Sequence, residues 1–211
     1  MRTIIGFIVI FGIHFIFSCQ TPGNDEGGEI FVTNEQGMVT VFNRTAHDDM
    51  ACVRRFNYDA IQDCFMGIAV DPDNAEILIA APTNGLHADS IFIYSRTADG
   101  DNLLPSRTIS GAGTGLNKPR GIALDGVRDV IIVSGWDLAG DRIDFFDRTA
   151  NGSAGPVTPI KTIAGDRTAF HNIRGLAIDP VHDELFVVNY DDHSILIFDL
   201  IEVYDSAAGG N

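Results

Sequence analysis

Gly67-Ile-Ala-Val-Asp71, Gly121-Ile-Ala-Leu-Asp125 and Gly175-Leu-Ala-Ile-Asp179 are three copies of one phrase, set 54 residues apart. A fixed period of this size marks a repeat architecture, and missing it would misread the whole chain. Arg120 and Arg174 precede two of the copies. Each copy leads through a turn into an apolar run: Glu76 to Ala81, Asp129 to Ser134 and Glu184 to Asn189. A loop and a third run follow: Ser90 to Tyr94, Arg142 to Phe146 and Ser194 to Phe198. A more polar fourth run, Ser106 to Gly111 and Ile160 to Gly165, completes two of the units. A partial copy comes first, with Glu29 to Asn34, Met38 to Ala46 and Ala51 to Tyr58. Its Arg44-Thr-Ala46 ending returns at Arg96-Thr-Ala98 and Arg148-Thr-Ala150.

The runs are short, rich in Ile, Val and Phe, and bounded by Gly, Asp, Asn and Pro, which predicts strands. No window has the length or the 3.6-residue period of a clear helix. The second and third runs are apolar on both faces, as strands packed between two neighbouring sheets should be. Four such strands per unit make a propeller blade. The expected fold is therefore all-β: a β-propeller of four blade-like repeats of four-stranded antiparallel sheet.

These openings and the four-strand unit resemble the NHL and related six- or seven-bladed propeller families, lactonase-like members included. The resemblance covers nearly everything from Glu29 to Leu200. It implies a protein that binds more often than it catalyses, since a fold of this kind hosts many functions. The chain departs from the family in its blade count. The first blade (29–65) lacks an innermost strand, 66–119 and 120–173 are full, and the fourth (174–206) lacks an outer strand unless Ile201-Glu-Val-Tyr204 supplies it. A six-bladed ring at this period needs far more than 211 residues. The alternatives are an incomplete or truncated propeller, a four-bladed ring, and a half-ring completed by a second copy, that is, a homo-oligomer.

Ahead of the repeats, Arg2 and the apolar run Ile4 to Phe17 have the form of a secretory signal peptide over 1–18, too short to span a bilayer comfortably. Its end, Ile16-Phe-Ser-Cys19, resembles a bacterial lipobox, which implies lipidation of Cys19 and export to the cell envelope, on the outer membrane or the periplasmic face. Phe17 is bulkier than the residue usual there, and an ordinary secretory signal is the competing reading. Residues 19–28 read as a flexible tether and 207–211 as a tail. With Cys19 lipidated, Cys52 and Cys64 remain, either as one disulfide in an oxidising compartment or as two buried thiols.

The net charge is −15, from 14 Lys and Arg against 29 Asp and Glu. That balance repels phosphate backbones, so no nucleic-acid partner is expected. Loops joining second to third strands, and those joining one blade to the next, share the face around the channel. The first set gathers Glu35, His87, Asp89, Trp136, Asp137, Asp191, Asp192 and His193; the second adds Asn117, Lys118, His171 and Asn172. Three readings compete for them. One is a protein or small-molecule ligand surface with Trp136 as anchor. Another is a calcium or zinc site, although no spacing fixes a ligand set and no cofactor is assigned. The third, implied only by the resemblance, is a metal-dependent lactone or sugar-acid hydrolase. Asp71-Pro-Asp-Asn74 lacks the remaining features of an EF-hand loop and reads as a turn. No nucleophile elbow or phosphate loop is present, and the functional expectation is a non-enzymatic, lipid-anchored extracytoplasmic binding or scaffold protein.

Overall fold

The computed structural model describes residues 9–10, 13–17, 28–34, 36–46, 48–58, 64–83, 88–137 and 140–205. Four antiparallel meanders follow one another along the chain. The first contains β1 (Val9–Ile10), β2 (Ile13–Phe17), β3 (Glu29–Asn34), β4 (Met38–Asn43) and β5 (Arg54–Asn57). The second is β6 (Ile68–Asp71), β7 (Glu76–Ala81), β8 (Ser90–Ser95) and β9 (Arg107–Ser110). The third is β10 (Ile122–Asp125), β11 (Val130–Asp137), β12 (Gly140–Asp147) and β13 (Lys161–Ala164). The last has three strands, β14 (Ile173–Asp179), β15 (Glu184–Asn189) and β16 (Ser194–Asp199), followed by a helix, α1 (Leu200–Asp205).

The repeated aspartate explains each first hairpin. Asp71 Oδ1 accepts the Asp73 and Asn74 amides, Asp125 Oδ1 those of Val127 and Arg128, and Asp179 Oδ1 those of Val181 and His182. A side chain that bonds its own backbone two and three residues on forms a turn without help from a metal. The chain then enters the second strand through a left-handed residue: Ala75, Asp129 or Asp183.

Strand register divides each blade into two faces. The face toward the following blade carries Phe31, Thr33, Val39 and Val41 in the first blade. It carries Ala69, Leu78, Ala80, Ile91 and Ile93 in the second, and Ala123, Ile132, Ser134, Ile143 and Phe145 in the third. Each packs on the opposite face of its successor, giving three apolar cores between four blades. The central blades are buried on both sides, as their two-faced apolar runs require.

Glycine sets the spacing. The Gly67 amide donates to the Arg120 carbonyl at 2.7 Å, and a Cβ on Gly67 would lie 2.4 Å from that oxygen. Two hydroxyls stitch the other seams: Thr33 Oγ1 donates to Met66 O at 2.5 Å and Ser134 Oγ to Arg174 O at 2.6 Å. The Arg-Thr-Ala turns add a charged latch. Glu29 pairs with Arg54 of its own blade and with Arg96 of the next; Glu76 pairs with Arg107 of its own and with Arg148 of the next. Burial by itself would raise the Glu29 pKa, but the hydrogen bond from Arg54 and the charges of Arg54 and Arg96 hold it below its ordinary value. A depressed carboxylate contributes stability above the unfolded pKa and loses it as pH falls through the folded one. Glu29→Gln is therefore expected to be less stable than wild type near neutrality. The gap should close in acid, as followed by denaturant melts across pH.

Three expectations are corrected. The innermost position of the first blade is occupied: β2 pairs with β3 from Ile13–Asn34 to Phe17–Ile30. A strand edge with free amides and carbonyls accepts an extended β-branched and aromatic run. Ile201 to Tyr204 do not form an outer strand; they lie in α1, where Asp199 Oδ1 accepts the Ile201 and Glu202 amides. Leu200 and Val203 are buried against the third blade, and the Tyr204 ring meets Phe145 edge-on at 5.8 Å. Finally, Cys52 and Cys64 are half-buried and no disulfide joins them. A bridge needs Cα atoms within about 7 Å and converging Cβ vectors, which sequence separation does not set. Cys19, the 19–28 tether up to residue 27, and the tail lie outside the described residues.

Candidate functional site

The β11–β12 hairpin is the longest among the described residues, eight residues a side, and carries Trp136 and Asp137 at its end. The candidate residues fall into two groups, one per blade seam. At the seam of blades two and three, Asp89 Oδ1 accepts the Thr83 amide at 2.7 Å and Oδ2 the Lys118 amide at 2.9 Å. Lys118 has a left-handed backbone, and its Nζ sits 4.4 Å from the centroid of the Trp136 ring. The Trp136 amide donates to Asn117 O, while its Nε1 is buried without a hydrogen-bond partner among the described residues.

At the seam of blades three and four, Asp191 Oδ1 accepts Asn172 Nδ2 at 3.0 Å. Asp192 Oδ2 lies 2.6 Å from His171 Nδ1 and accepts from Asn189 Nδ2 at 3.0 Å. His193 has a left-handed backbone and donates from Nδ1 to Asp191 O at 3.1 Å. These residues satisfy one another, so they build the loops and orient the seam. Asp137 is placed by its backbone pairing with Gly140; Glu35 and His87 lie outside the described residues. Among the described residues no group of three or more His, Cys, Asp and Glu side chains is arranged to hold a metal ion.

The structure adds residues that the loop reading omitted. Arg120 and Arg174 occupy equivalent places in the repeat, each directly before the motif glycine: Arg120 just ahead of β10 and Arg174 at the second residue of β14. Arg120 Nη1 donates to Asn172 Oδ1 at 2.5 Å, and the Arg174 guanidinium lies 3.7 Å over the Tyr190 ring. Neither makes an ion pair among the described residues, and Arg174 Nε is buried without a partner. Burial lowers the Arg120 pKa, and the adjoining Arg174 charge lowers it further, against the opposing pull of Asp141 and Asp191. Asp141 is itself engaged by the Asn172 amide. The Arg174 charge thus acts on Arg120, and Arg174 Nε has no hydrogen-bond partner among the described residues.

No family profile and no curated protein sequence matches the chain. Solved structures do. Hydrazine synthase of Kuenenia stuttgartiensis matches at TM-score 0.59 and 15% identity, over 87% of this chain and 53% of that one. A Bacteroides caccae protein of unknown function matches at 0.55 and 12%, over 82% and 53%. The Dos1 propeller matches at 0.55 and 13%, over 90% and 44%. This chain has the β-propeller fold. At such identities the likeness carries the fold alone, and the chain spans about half the length of the propellers it matches. In propeller terms, the two seams above lie at the end of the channel where inner strands begin and second hairpins turn. The arginine doublet is visible in the repeat as the residue before Gly121 and before Gly175. Its meaning is not, because Asn172 lies 52 residues from Arg120.

Proposed function

We propose that the chain is an exported, lipid-anchored propeller of the NHL or lactonase-like kind that works by binding, and that it holds an anionic group between Arg120 and Arg174. The observation that carries this reading is the doublet itself: two half-buried guanidiniums, without ion-pair partners among the described residues, on a chain of net charge −15. An anion relieves their mutual repulsion, and the guanidinium fork suits carboxylate or phosphate bidentately. Lys118 and the unpartnered Trp136 Nε1 border the neighbouring seam and extend the donor surface.

Trp136 is the chain's one tryptophan, so its fluorescence reports the site. Titration with citrate, gluconate and inorganic phosphate is expected to shift it, and Arg174→Ala should weaken binding roughly 10- to 100-fold, the worth of one charged hydrogen bond. Unchanged affinity in both Arg120→Ala and Arg174→Ala, no response to any of the three anions, or turnover of a lactone panel run in parallel would overturn the reading.

The anchor is tested separately. Processing at Cys19 removes β2 and opens the inner edge of β3, so the two N-terminal states are exclusive in any one molecule. Intact mass is expected to show a lipidated chain starting at Cys19. Cys19→Ala should abolish lipid labelling and membrane partition; retained partition counts against the anchor.

A further inference from the structure

The fourth blade presents a face that its three predecessors bury. Ala177, Phe186, Val188, Ile195 and Ile197 stand at the register positions of Ala69, Leu78, Ala80, Ile91 and Ile93. The five residues of the second blade are at most 7% exposed against the third blade, whereas Ile195 and Ile197 are 63% and 58% exposed. At the other end of the arc, the first blade's rear face carries Ile30, Val32, Thr40 and Phe42, positions at which the third blade buries Ile131, Val133, Asp144 and Phe146. One apolar face and one rear face are thus left over, and they are of the kinds that meet three times within the chain.

The charges at the rims match as well. Glu184 stands where Glu29 and Glu76 stand, at the start of the second strand. Arg44 stands where Arg96 and Arg148 stand, in the Arg-Thr-Ala turn: the Arg44 amide donates to Gly28 O as the Arg96 amide does to Ala75 O and the Arg148 amide to Asp129 O. Glu29 reaches Arg96, and Glu76 reaches Arg148, each across a seam. Glu184 and Arg44 make no ion pair among the described residues. Glu184 acts only as a minor influence on His182, behind Asp179.

We infer that a second copy of this chain docks head to tail, its first blade on the fourth blade of the first copy, with Arg44 of one meeting Glu184 of the other, and that two copies close one ring of eight blades. A heterologous contact closes when its rotation completes a circle. This does not depend on the anion site.

The test is sedimentation of the full chain in a mild non-ionic detergent. Wild type is expected to dimerise. Glu184→Arg and Arg44→Glu should each weaken the dimer about tenfold or more, since each sets like charges face to face. An equimolar mixture of the two variants should recover wild-type association, because every seam then carries one Arg and one Glu. Ile197→Asp, at an exposed position, should give a folded monomer. A wild type that stays monomeric, a dimer indifferent to both charge reversals, or a dimer sensitive to Glu184→Arg alone would overturn the inference; the last outcome would mean that some other surface covers this face.

Discussion

Gly121→Ala is expected to destabilise the chain by about 3 kcal/mol or more, a drop of roughly 6–12 °C in melting temperature for a protein of this size. A Cβ there would lie 2.1 Å from the Arg174 carbonyl oxygen and 2.7 Å from Ser134 Oγ. The oxygen belongs to the next blade's backbone and accepts the Ser134 hydroxyl, so it cannot swing aside as a side-chain tip could. The added methyl has to push two blades apart along a seam whose packing is close to crystalline. Gly175→Ala is the control. The same motif position in the fourth blade meets only Val188 Cγ2, at 3.3 Å, and a methyl group can give by that little. Its cost is expected to be small, partly offset by the entropy that alanine removes from the unfolded chain. Thermal melts of the two variants at low protein concentration decide it. Equal losses would mean that the glycine serves its own hairpin and not the seam.

That contrast shows what the sequence made legible. The repeat exposed four blades, their strands and their order, because strand signals and turn aspartates are local: Asp71, Asp125 and Asp179 bond to backbone two and three residues away. What the glycine, the arginine and the Arg-Thr-Ala ending are for was hidden, since their partners lie a blade away. Glu29 and Arg96 are 67 residues apart, and Ser134 and Arg174 are 40. The same reason hides the surroundings of Arg120 and Arg174: Arg120 meets Asn172, 52 residues on. At the end of the chain the misreading was local. Ile201-Glu-Val-Tyr204 is short and rich in residues that favour strands. The helix wins because it sets Leu200, Val203 and Tyr204 on one side, over Phe145 and Arg128. The first blade's inner strand was missed for a different reason: an apolar run that reads as a signal sequence also pairs well as a strand, and composition does not separate the two.

One register position read across the blades gives the other large effect. Ile93, Phe145 and Ile197 sit at the same place in the third strand of successive blades. All three are large and apolar, so sequence alone assigns them equal importance. The first two are wholly buried and the third is 58% exposed. Ile93→Ala is expected to cost about 2–5 kcal/mol and Phe145→Ala about 3–5 kcal/mol, each the lost transfer energy plus the cavity left in a seam. Against a total of roughly 5–15 kcal/mol for a typical domain, either loss leaves the fold marginal. Phe145→Ala should also loosen α1, because its ring is what Tyr204 packs on. Ile197→Ala should stay within about 0.5 kcal/mol in the dilute monomer, the range of an ordinary surface change. Denaturant melts at low concentration measure all three. A large loss at Ile197 under those conditions would show that the fourth blade's open face is already covered within one chain, and the arc would then have to be redrawn as a closed ring.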